Sequence, residues 1–523
     1  MPTRASSTGS VDGEKTDARA MGYMASSEGK EEIEQAGPPV LTPEQEKKLW
    51  RKVDLRILPI LTIMYLCSFM DRGNIGNAKL QGLTTQLNLT GHKYNIALTM
   101  YFIPYCIFGV PANLVLKKFR PSRWLTGITI VWGIIMQDAD GNSEIASILI
   151  VFLFRLSASQ YPLLYNRYPQ LVGVRILLGI SEAGLFPGYD TLVSAIYASI
   201  PDCNLRGGAT LAGAFSGLFA YGISFMSGTA GLLGWSWIFI LEGILTVIVG
   251  LAACFILVDF PDTAKFLTED ERAFLMWRKK YDNSSVGEEE RFEIRHLKAA
   301  VLDWQIWMQI VVYFGIVVPL YGISLFLPSI INSFGYNTAI SELLTVPPYV
   351  CGVITLIVFA VSSDMLQMRS PFILAGLMMC LIGYAINISD APVGVKYFGT
   401  FFCVSGAYSA LPGIVAWLGN NLAGQYKRAA GMGIQIGIGN FAGAIASNIY
   451  LSQDAPRYIL GHAIELMFVG IGLVFLPLTV LAYKWVNKRR DIEQRQLEER
   501  GVKYSDEELR RMGDRAPDFR YTL

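Results

Sequence analysis

Long apolar runs alternate with short polar stretches along most of the chain. A helix that crosses a bilayer needs about 20 mostly apolar residues. Runs of this kind predict twelve helices, numbered here as spans 1 to 12: 55–78, 94–116, 122–136, 171–198, 208–228, 236–258, 305–332, 343–362, 371–388, 394–418, 429–450 and 462–486. The pattern therefore predicts an all-α integral membrane protein.

The charged stretch 259–304 divides these spans into two sets of six. Thr268 and Glu271 have the spacing of a capping box, in which two side chains satisfy free backbone N–H groups, so part of this stretch is predicted to be helical. The predicted organisation has five parts: a disordered N-terminal tail at 1–50, six-helix bundles at 51–258 and 305–486, a linker at 259–304 and a C-terminal tail at 487–523.

Lysine and arginine are concentrated in alternate loops. If every span crosses once, all of the basic loops lie on one side: before span 1, after span 2, in 259–304, before span 11 and after span 12. The opposite loops at 227–234, 332–337 and 389–394 have almost none. Basic loops face the cytoplasm. We therefore expect both termini and the linker to be cytoplasmic, and the plasma membrane is the expected location.

Composition narrows the function classes. The chain is 52% apolar and 17% charged, whereas soluble domains carry about 25% charged residues. A net charge of +1 argues against nucleic-acid binding. No C-x-x-C pair, P-loop or nucleophile elbow occurs, and the three histidines lie in or beside polar loops. We expect a monomer that is not an enzyme and that needs no metal or other cofactor.

Ionisable side chains inside predicted spans are the main candidates for function. Span 1 contains Asp71 and Arg72, followed by Asn74, and span 4 contains Arg175 and Glu182. Each charge costs roughly 2.5–3.5 kcal/mol to insert, so such residues are usually functional. Residues seven apart share one helical face, which predicts that Arg175 and Glu182 both face a central cavity.

This set fits the symport of an anion with a proton. A guanidinium can hold a carboxylate through two parallel hydrogen bonds, so Arg72 and Arg175, with Asn74, are predicted to bind substrate. A buried carboxyl group beside it can gain or lose a proton, which is the role predicted for Asp71 and Glu182. The alternative is a structural ion-pair lattice that holds span 1 to span 4.

Other polar residues in the spans are weaker candidates. Asn440 lies among glycines in span 11, and a hydrogen bond to substrate or between helices would explain it equally well. Three tyrosines could line the cavity, and two acidic residues near helix ends are interpreted as structural: Tyr313, Tyr321 and Tyr408, and Glu242 and Glu465.

Four sequence motifs carry a resemblance. They are SFMDRGNIGNA at 68–78, KKFRPSRW at 117–124, LGISEAGLFPG at 178–188 and WSWIFILEG at 235–243. Together they resemble the fungal allantoate-permease branch of the anion:cation symporter family, which belongs to the major facilitator superfamily. The tail GDRAPDFRY at 513–521 also resembles that of nicotinate transporters in this branch.

The resemblance implies the major facilitator fold, in which two six-helix bundles rock around a site near the midplane. Members carry small carboxylates such as nicotinate, allantoate and pantothenate together with protons. In related bacterial sugar-acid symporters, residues that match Asp71, Arg72, Arg175 and Glu182 handle the proton and the anion. Proton-coupled uptake of a small carboxylate is the leading hypothesis. The alternatives are an uncoupled facilitator or exporter of organic anions, and a nutrient sensor that does not transport.

One segment departs from the family pattern. Span 3 is short, and the polar run 137–144 interrupts it before a second short apolar run. Polar backbone cannot face lipid. The segment 137–165 is therefore either the loop of a broken span 3 or, as we prefer, an error in the gene model such as a translated intron.

Overall fold

The computed structural model describes the chain in ten pieces: 41–116, 121–137, 167–185, 202–257, 264, 266–282, 294–501, 504–505, 508–509 and 512–523. These residues are helical, contain no strand and place a helix at each of the twelve predicted spans. The predicted all-α fold is therefore confirmed. The tail up to residue 40, the end of span 4 beyond residue 185 and all of 137–165 except Gln137 lie outside the described residues.

The helices at the twelve spans are labelled by span number. The N-terminal set is α1 (Pro43–Ala78), α2 (Lys93–Leu116), α3 (Pro121–Gln137), α4 (Arg167–Glu182), α5 (Asp202–Ser224) and α6 (Gly234–Ile256). The C-terminal set is α7 (Trp304–Asn332), α8 (Val346–Leu366), α9 (Ser370–Ile388), α10 (Val393–Asn421), α11 (Gln425–Gly439) and α12 (Ile459–Glu499). Short helices precede α8 at Thr338–Leu343 and continue α11 at Phe441–Ala446.

Eight of these helices are long and apolar enough to cross a membrane, judged by length and composition over the described residues: α1 and α6 to α12. Shorter apolar stretches occupy α3, at Ser122–Met136, and α5, at Thr210–Ser224. A hydrocarbon core about 30 Å thick requires such lengths.

The helices pack into two bundles. In the first, α6 lies on α3 and α1, α2 lies on α4, and α1 lies on α5. In the second, α10 contacts α7, α8 and α9, and α12 contacts α7 and α9. The bundles meet where α1 packs on α7, α5 on α8, and α2 on the Phe441–Ala446 helix.

The contacts between the bundles lie toward the predicted external ends of the helices. Gln81 Nε2, just beyond α1, is 2.9 Å from each oxygen of Glu342. Asn95, near the start of α2, donates to the Ser447 carbonyl at 2.6 Å. A Cβ on Gly76 would lie 2.4 Å from the Leu325 carbonyl oxygen, so only glycine permits this approach of α1 to α7. The bundles are closed against each other at this end.

The linker is partly helical, as predicted, with helices at Glu269–Asp282 and Ile294–Val301. The predicted capping box is present. The Glu271 amide donates to Thr268 Oγ1 at 3.3 Å, and the Thr268 amide donates to Glu271 Oε2 at 2.9 Å. Glu271 also accepts from Lys52 Nζ at 2.8 Å, which ties the linker to α1.

The last twelve residues, 512–523, fold back onto the C-terminal bundle, and we call them the C-terminal strap. The Thr522 carbonyl accepts from Trp417 Nε1 at 2.8 Å, and the Leu523 carbonyl accepts from the Arg369 amide at 2.8 Å. The sequence predicted a tail here without predicting these contacts. The strap joins the predicted cytoplasmic ends of α9 and α10.

A buried charge cluster lies where the strap meets the bundle, and Asp514 of the strap is part of it. We call it the rim cluster: Asp303, Lys427, Arg490 and Asp514. Lys427 Nζ is 2.6 Å from Asp303 Oδ2 and 2.8 Å from both oxygens of Asp514. The Arg490 guanidinium donates to the Phe519 carbonyl at 2.9 Å. The cluster contains two cations and two carboxyl groups, so its charges cancel.

Candidate functional site

A cavity lies between the two bundles, on the predicted cytoplasmic side of their contacts. Its walls come from α1, α2, α7, α10 and α11. The polar and aromatic lining residues are Tyr65, Phe69, Arg72, Tyr105, Tyr313, Tyr321 and Asn440. The remaining lining is aliphatic: Val317, Leu320, Leu411, Val415 and Ile436. One guanidinium among tyrosines and aliphatic side chains suits a small ligand with an anionic group and an apolar body.

Four of the six residues predicted to bind substrate line this cavity: Arg72, Tyr313, Tyr321 and Asn440. Tyr321 donates from its hydroxyl to Asn440 Oδ1 at 3.3 Å and lies 3.4 Å from Arg72 Nη1. These three side chains therefore form one polar patch across the two bundles. Tyr408, the other predicted tyrosine, is absent from this lining, and its hydroxyl is 3.4 Å from Ser324 Oγ.

Arg72 is held in place by Glu182. Its Nε and Nη2 atoms lie 2.8 Å and 2.6 Å from Glu182 Oε1. The guanidinium also lies over two rings, 4.7 Å from the Tyr105 centroid and 4.9 Å from the Phe69 centroid. Such cation–π contacts favour a desolvated guanidinium. Arg72 is only 7% exposed, and its Nη1 lies 3.4 Å from the hydroxyl of Tyr321 in the cavity.

Glu182 is fully buried and receives donors on both oxygens. The hydroxyl of Ser68 donates to Oε1, and the hydroxyl of Tyr101 donates to Oε2. With the two nitrogens of Arg72, these donors give both oxygens of Glu182 a hydrogen-bond partner. Glu182 therefore joins α4 to α1 and α2 behind the cavity wall.

Three further predicted residues lie inside the N-terminal bundle and do not line this cavity: Asp71, Asn74 and Arg175. Asn74 donates to Glu242 Oε2 of α6 and accepts from the Ser216 hydroxyl of α5. Asp71 is 1% exposed, and neither of its oxygens has a hydrogen-bond partner among the described residues. Asp71 and Asn74 therefore lie behind the wall of this cavity, and their predicted roles remain predictions.

The position of Arg175 differs from the prediction that α4 presents two charged groups to the cavity. Its guanidinium lies over the Phe239 ring, 5.5 Å from the centroid, and is 3% exposed. The physical reason is the position of α4, which packs on α2 and α3. The charged face of α4 therefore points into the bundle. Of its two charged residues, only Glu182 contacts the cavity wall, through its hydrogen bonds to Arg72.

Sequence reasoning missed several residues of this site. Ser68 lies four residues before Arg72 on the same face of α1, so helical spacing could have indicated it. Tyr101 and Tyr105 carry no charge and gave no signal. Glu242 was interpreted as lying near a helix end, but α6 begins eight residues earlier, at Gly234, and buries it. Five of the described residues of this bundle are buried and charged, and we call them the membrane cluster: Asp71, Arg72, Arg175, Glu182 and Glu242.

The comparisons with known proteins agree with this architecture. The sequence profile of the Major Facilitator Superfamily matches residues 141–447. The chain belongs to the Major Facilitator Superfamily. It is 34% identical over 489 residues to an uncharacterized transporter of Schizosaccharomyces pombe, covering 92% of this chain and 91% of that one. It is 30% identical over 489 residues to the high-affinity nicotinic acid transporter of Saccharomyces cerevisiae, covering 93% and 86%.

Among solved structures, a D-xylose-proton symporter matches this superfamily member with a TM-score of 0.58 at 14% identity, over 81% of this chain and 97% of that one. At that identity the likeness shows the fold alone. The predicted major facilitator fold is confirmed, as is the prediction that the chain is a transporter in a membrane and not an enzyme.

Proposed function

We propose that this superfamily member takes up a small organic anion together with protons, and that the anion is a monocarboxylate such as nicotinate, with allantoate and pantothenate as the next candidates. The observation that carries the proposal is the position of Arg72. It is the cation of a cavity otherwise lined by tyrosines, an amide and apolar side chains. A carboxylate with a flat apolar ring matches that lining.

The 30% identity to a nicotinic acid transporter supports this choice of substrate. We place the chain in the allantoate-permease branch of the anion:cation symporters on the motifs at 68–78 and 178–188. Arg72, Tyr313, Tyr321 and Asn440 are the proposed substrate-binding residues. We further propose that the protein acts as a monomer in the plasma membrane, with both termini in the cytoplasm.

Proton coupling is proposed for Asp71 and Glu182. Glu182 pairs with Arg72, so a substrate carboxylate that binds Arg72 competes with it for one guanidinium. Protonation of Glu182 would free Arg72 for substrate, and loss of substrate would favour renewed pairing. Arg175 and Asn74 would support the carboxyl groups from inside the bundle.

The test is uptake of radiolabelled nicotinate, allantoate and pantothenate by cells that lack their own carriers for these acids. Coupling to one proton sustains about tenfold accumulation for each unit of pH gradient. We expect accumulation above the external concentration in acidic medium, and collapse of that accumulation on addition of a protonophore. Equilibration without accumulation would instead identify a facilitator.

Glu182→Gln tests the proposed proton role. We expect the variant to lose accumulation, because an amide cannot exchange a proton at this position. Glu465→Gln is the matched control, since Glu465 is a fully buried acid of α12 that does not line the cavity. Acid-driven accumulation at the wild-type level in Glu182→Gln would remove Glu182 from the coupling mechanism.

A further inference from the structure

Asp71 and Glu242 form a pair of buried carboxyl groups from α1 and α6. Each is 1% exposed. Asn74 lies one turn after Asp71 and donates to Glu242 Oε2, which brings α6 against this part of α1. Both oxygens of Asp71 and Oε1 of Glu242 have no hydrogen-bond partner among the described residues.

The charges of the membrane cluster do not cancel. It holds two guanidiniums and three carboxyl groups, so full ionisation would leave one buried negative charge. Glu182 pairs with the Arg72 cation and accepts hydrogen bonds from Ser68 and Tyr101. The excess negative charge therefore falls on Asp71 and Glu242. An uncompensated buried charge is strongly disfavoured.

One proton on this pair would remove both the excess negative charge and the lack of a hydrogen-bond donor. It makes the cluster neutral, and it supplies the missing O–H donor, because two ionised carboxyl groups can only accept hydrogen bonds. We infer that Asp71 and Glu242 together hold one exchangeable proton, so that Glu242 is a further proton-binding residue of this transporter. The inference rests on the proposed proton-coupled function and adds a residue outside the cavity to it.

Arg175 is the cation that the pair has in this bundle. Its Nη2 atom is buried and has no hydrogen-bond partner among the described residues. Its charge balances the one carboxylate of the pair that stays ionised while the other carries the proton. The chain from Asn77 through Ser216 to Asn74 fixes the other side of Glu242, and the Asn77–Ser216 hydrogen bond is 2.9 Å long.

The other titratable groups around the pair come from three helices. They are Cys67 and Arg72 on α1, Tyr94 and Tyr101 on α2, and Arg175 and Glu182 on α4. Trp132 of α3 and Ser216 of α5 also lie nearby and do not titrate. Thiols and phenols ordinarily titrate above neutral pH. The groups that can respond to an acidic medium are therefore the carboxyls.

The experiment compares Glu242→Gln with the wild type in the full-length protein reconstituted into vesicles, with radiolabelled nicotinate as the probe. A pH gradient of one unit should drive about tenfold accumulation by the wild type for one coupled proton. We expect Glu242→Gln to lose this accumulation while it retains exchange of labelled for unlabelled nicotinate, which needs no net proton movement. Glu465→Gln should keep both activities.

Two further variants distinguish loss of proton coupling from loss of the fold. Asp71→Asn should show the same separation of exchange from accumulation. Glu242→Asp keeps a carboxyl group and should retain accumulation with a displaced pH profile, which a merely structural residue would not produce. Wild-type accumulation in a folded Glu242→Gln protein overturns the inference and leaves the proposed function intact. A wild type that never accumulates nicotinate at acidic pH overturns the proposed function instead.

Discussion

The rim cluster of the C-terminal bundle contains two cations and two carboxyl groups, whereas the membrane cluster of the N-terminal bundle contains two guanidiniums and three carboxyl groups. In the rim cluster, Lys427 touches both aspartates and Arg490 donates to backbone. In the membrane cluster, both oxygens of Asp71 and one nitrogen of Arg175 have no partner among the described residues.

The difference separates two uses of buried charge. A neutral, fully paired cluster has one stable protonation state and can fix the geometry of helix ends. A cluster with an excess charge and unpaired atoms has two accessible states that differ by a proton. The first arrangement suits a structural lock at the end of a bundle. The second suits a site that must change during each transport cycle.

The largest predicted effect is the loss of stability when the rim cluster loses its lysine. Lys427→Met leaves Asp303 and Asp514 buried without their cation, and removal of one partner from a buried ion pair costs about 3–5 kcal/mol. Thermal unfolding of the purified protein in detergent should show a large loss of stability. The exposed Lys484→Met is the matched control, with an expected change within about 0.5 kcal/mol.

Lys427→Met also tests whether the rim cluster and the membrane cluster differ in function. Any Lys427→Met protein that folds should keep the wild-type dependence of uptake on pH, because no residue of the rim cluster lines the cavity. A changed pH profile with unchanged stability would contradict the comparison, since it would assign the rim cluster the role reserved for the membrane cluster.

A smaller effect is expected at the cavity wall. Arg72→Lys keeps the charge but loses the planar group that contacts Glu182 through two nitrogens and lies over Tyr105. Hydrogen bonds to charged groups are worth about 1.5–3 kcal/mol, so uptake from low substrate concentrations should fall by about tenfold or more. Initial rates of nicotinate uptake over a concentration series measure the effect.

Arg490→Lys makes the corresponding change in the rim cluster. It should reduce thermal stability and leave the concentration dependence of uptake unchanged. Equal loss of uptake in both variants would show that arginine geometry matters to the fold rather than to the cavity.

The sequence predicted the helices well because their signal is local. Each span is a continuous apolar run, and the alternation of basic loops is independent of how the helices pack. Arg72 and Tyr321 could also be found from the sequence, since polar groups in an apolar run are few. Their convergence in one cavity is a finding of the structure, in which α1 packs on α7 between the bundles.

The partners of those residues could not be predicted. Lys427 pairs with Asp303 across 124 residues of chain, and no local pattern distinguishes this lysine from the basic residues of neighbouring loops. The faces of Asp71 and Arg175 depend on how α4 and α6 pack against α1. Span spacing placed Arg175 toward the cavity beside Glu182, because it says which residues share a face and not which neighbour that face meets.

The smallest effect concerns a partly exposed ion pair outside both clusters, between Lys52 and Glu271. Partial burial raises the pKa of Glu271, but hydrogen bonds from Lys52 and Thr268 outweigh it, so the pKa lies below its usual value. A lowered folded-state pKa stabilises the protein at neutral pH, and this contribution disappears as the pH falls through that pKa. Glu271→Gln should therefore lower stability by about 0–1 kcal/mol at pH 7. Thermal unfolding at a series of pH values should show the difference from wild type vanishing in acid.

Glu269→Gln lies in the same helical turn and controls for the helix dipole. A difference that persists unchanged in acid would mean that the Glu271 carboxylate does not supply the stabilisation, so that charge pairing in this protein would matter only where water is excluded.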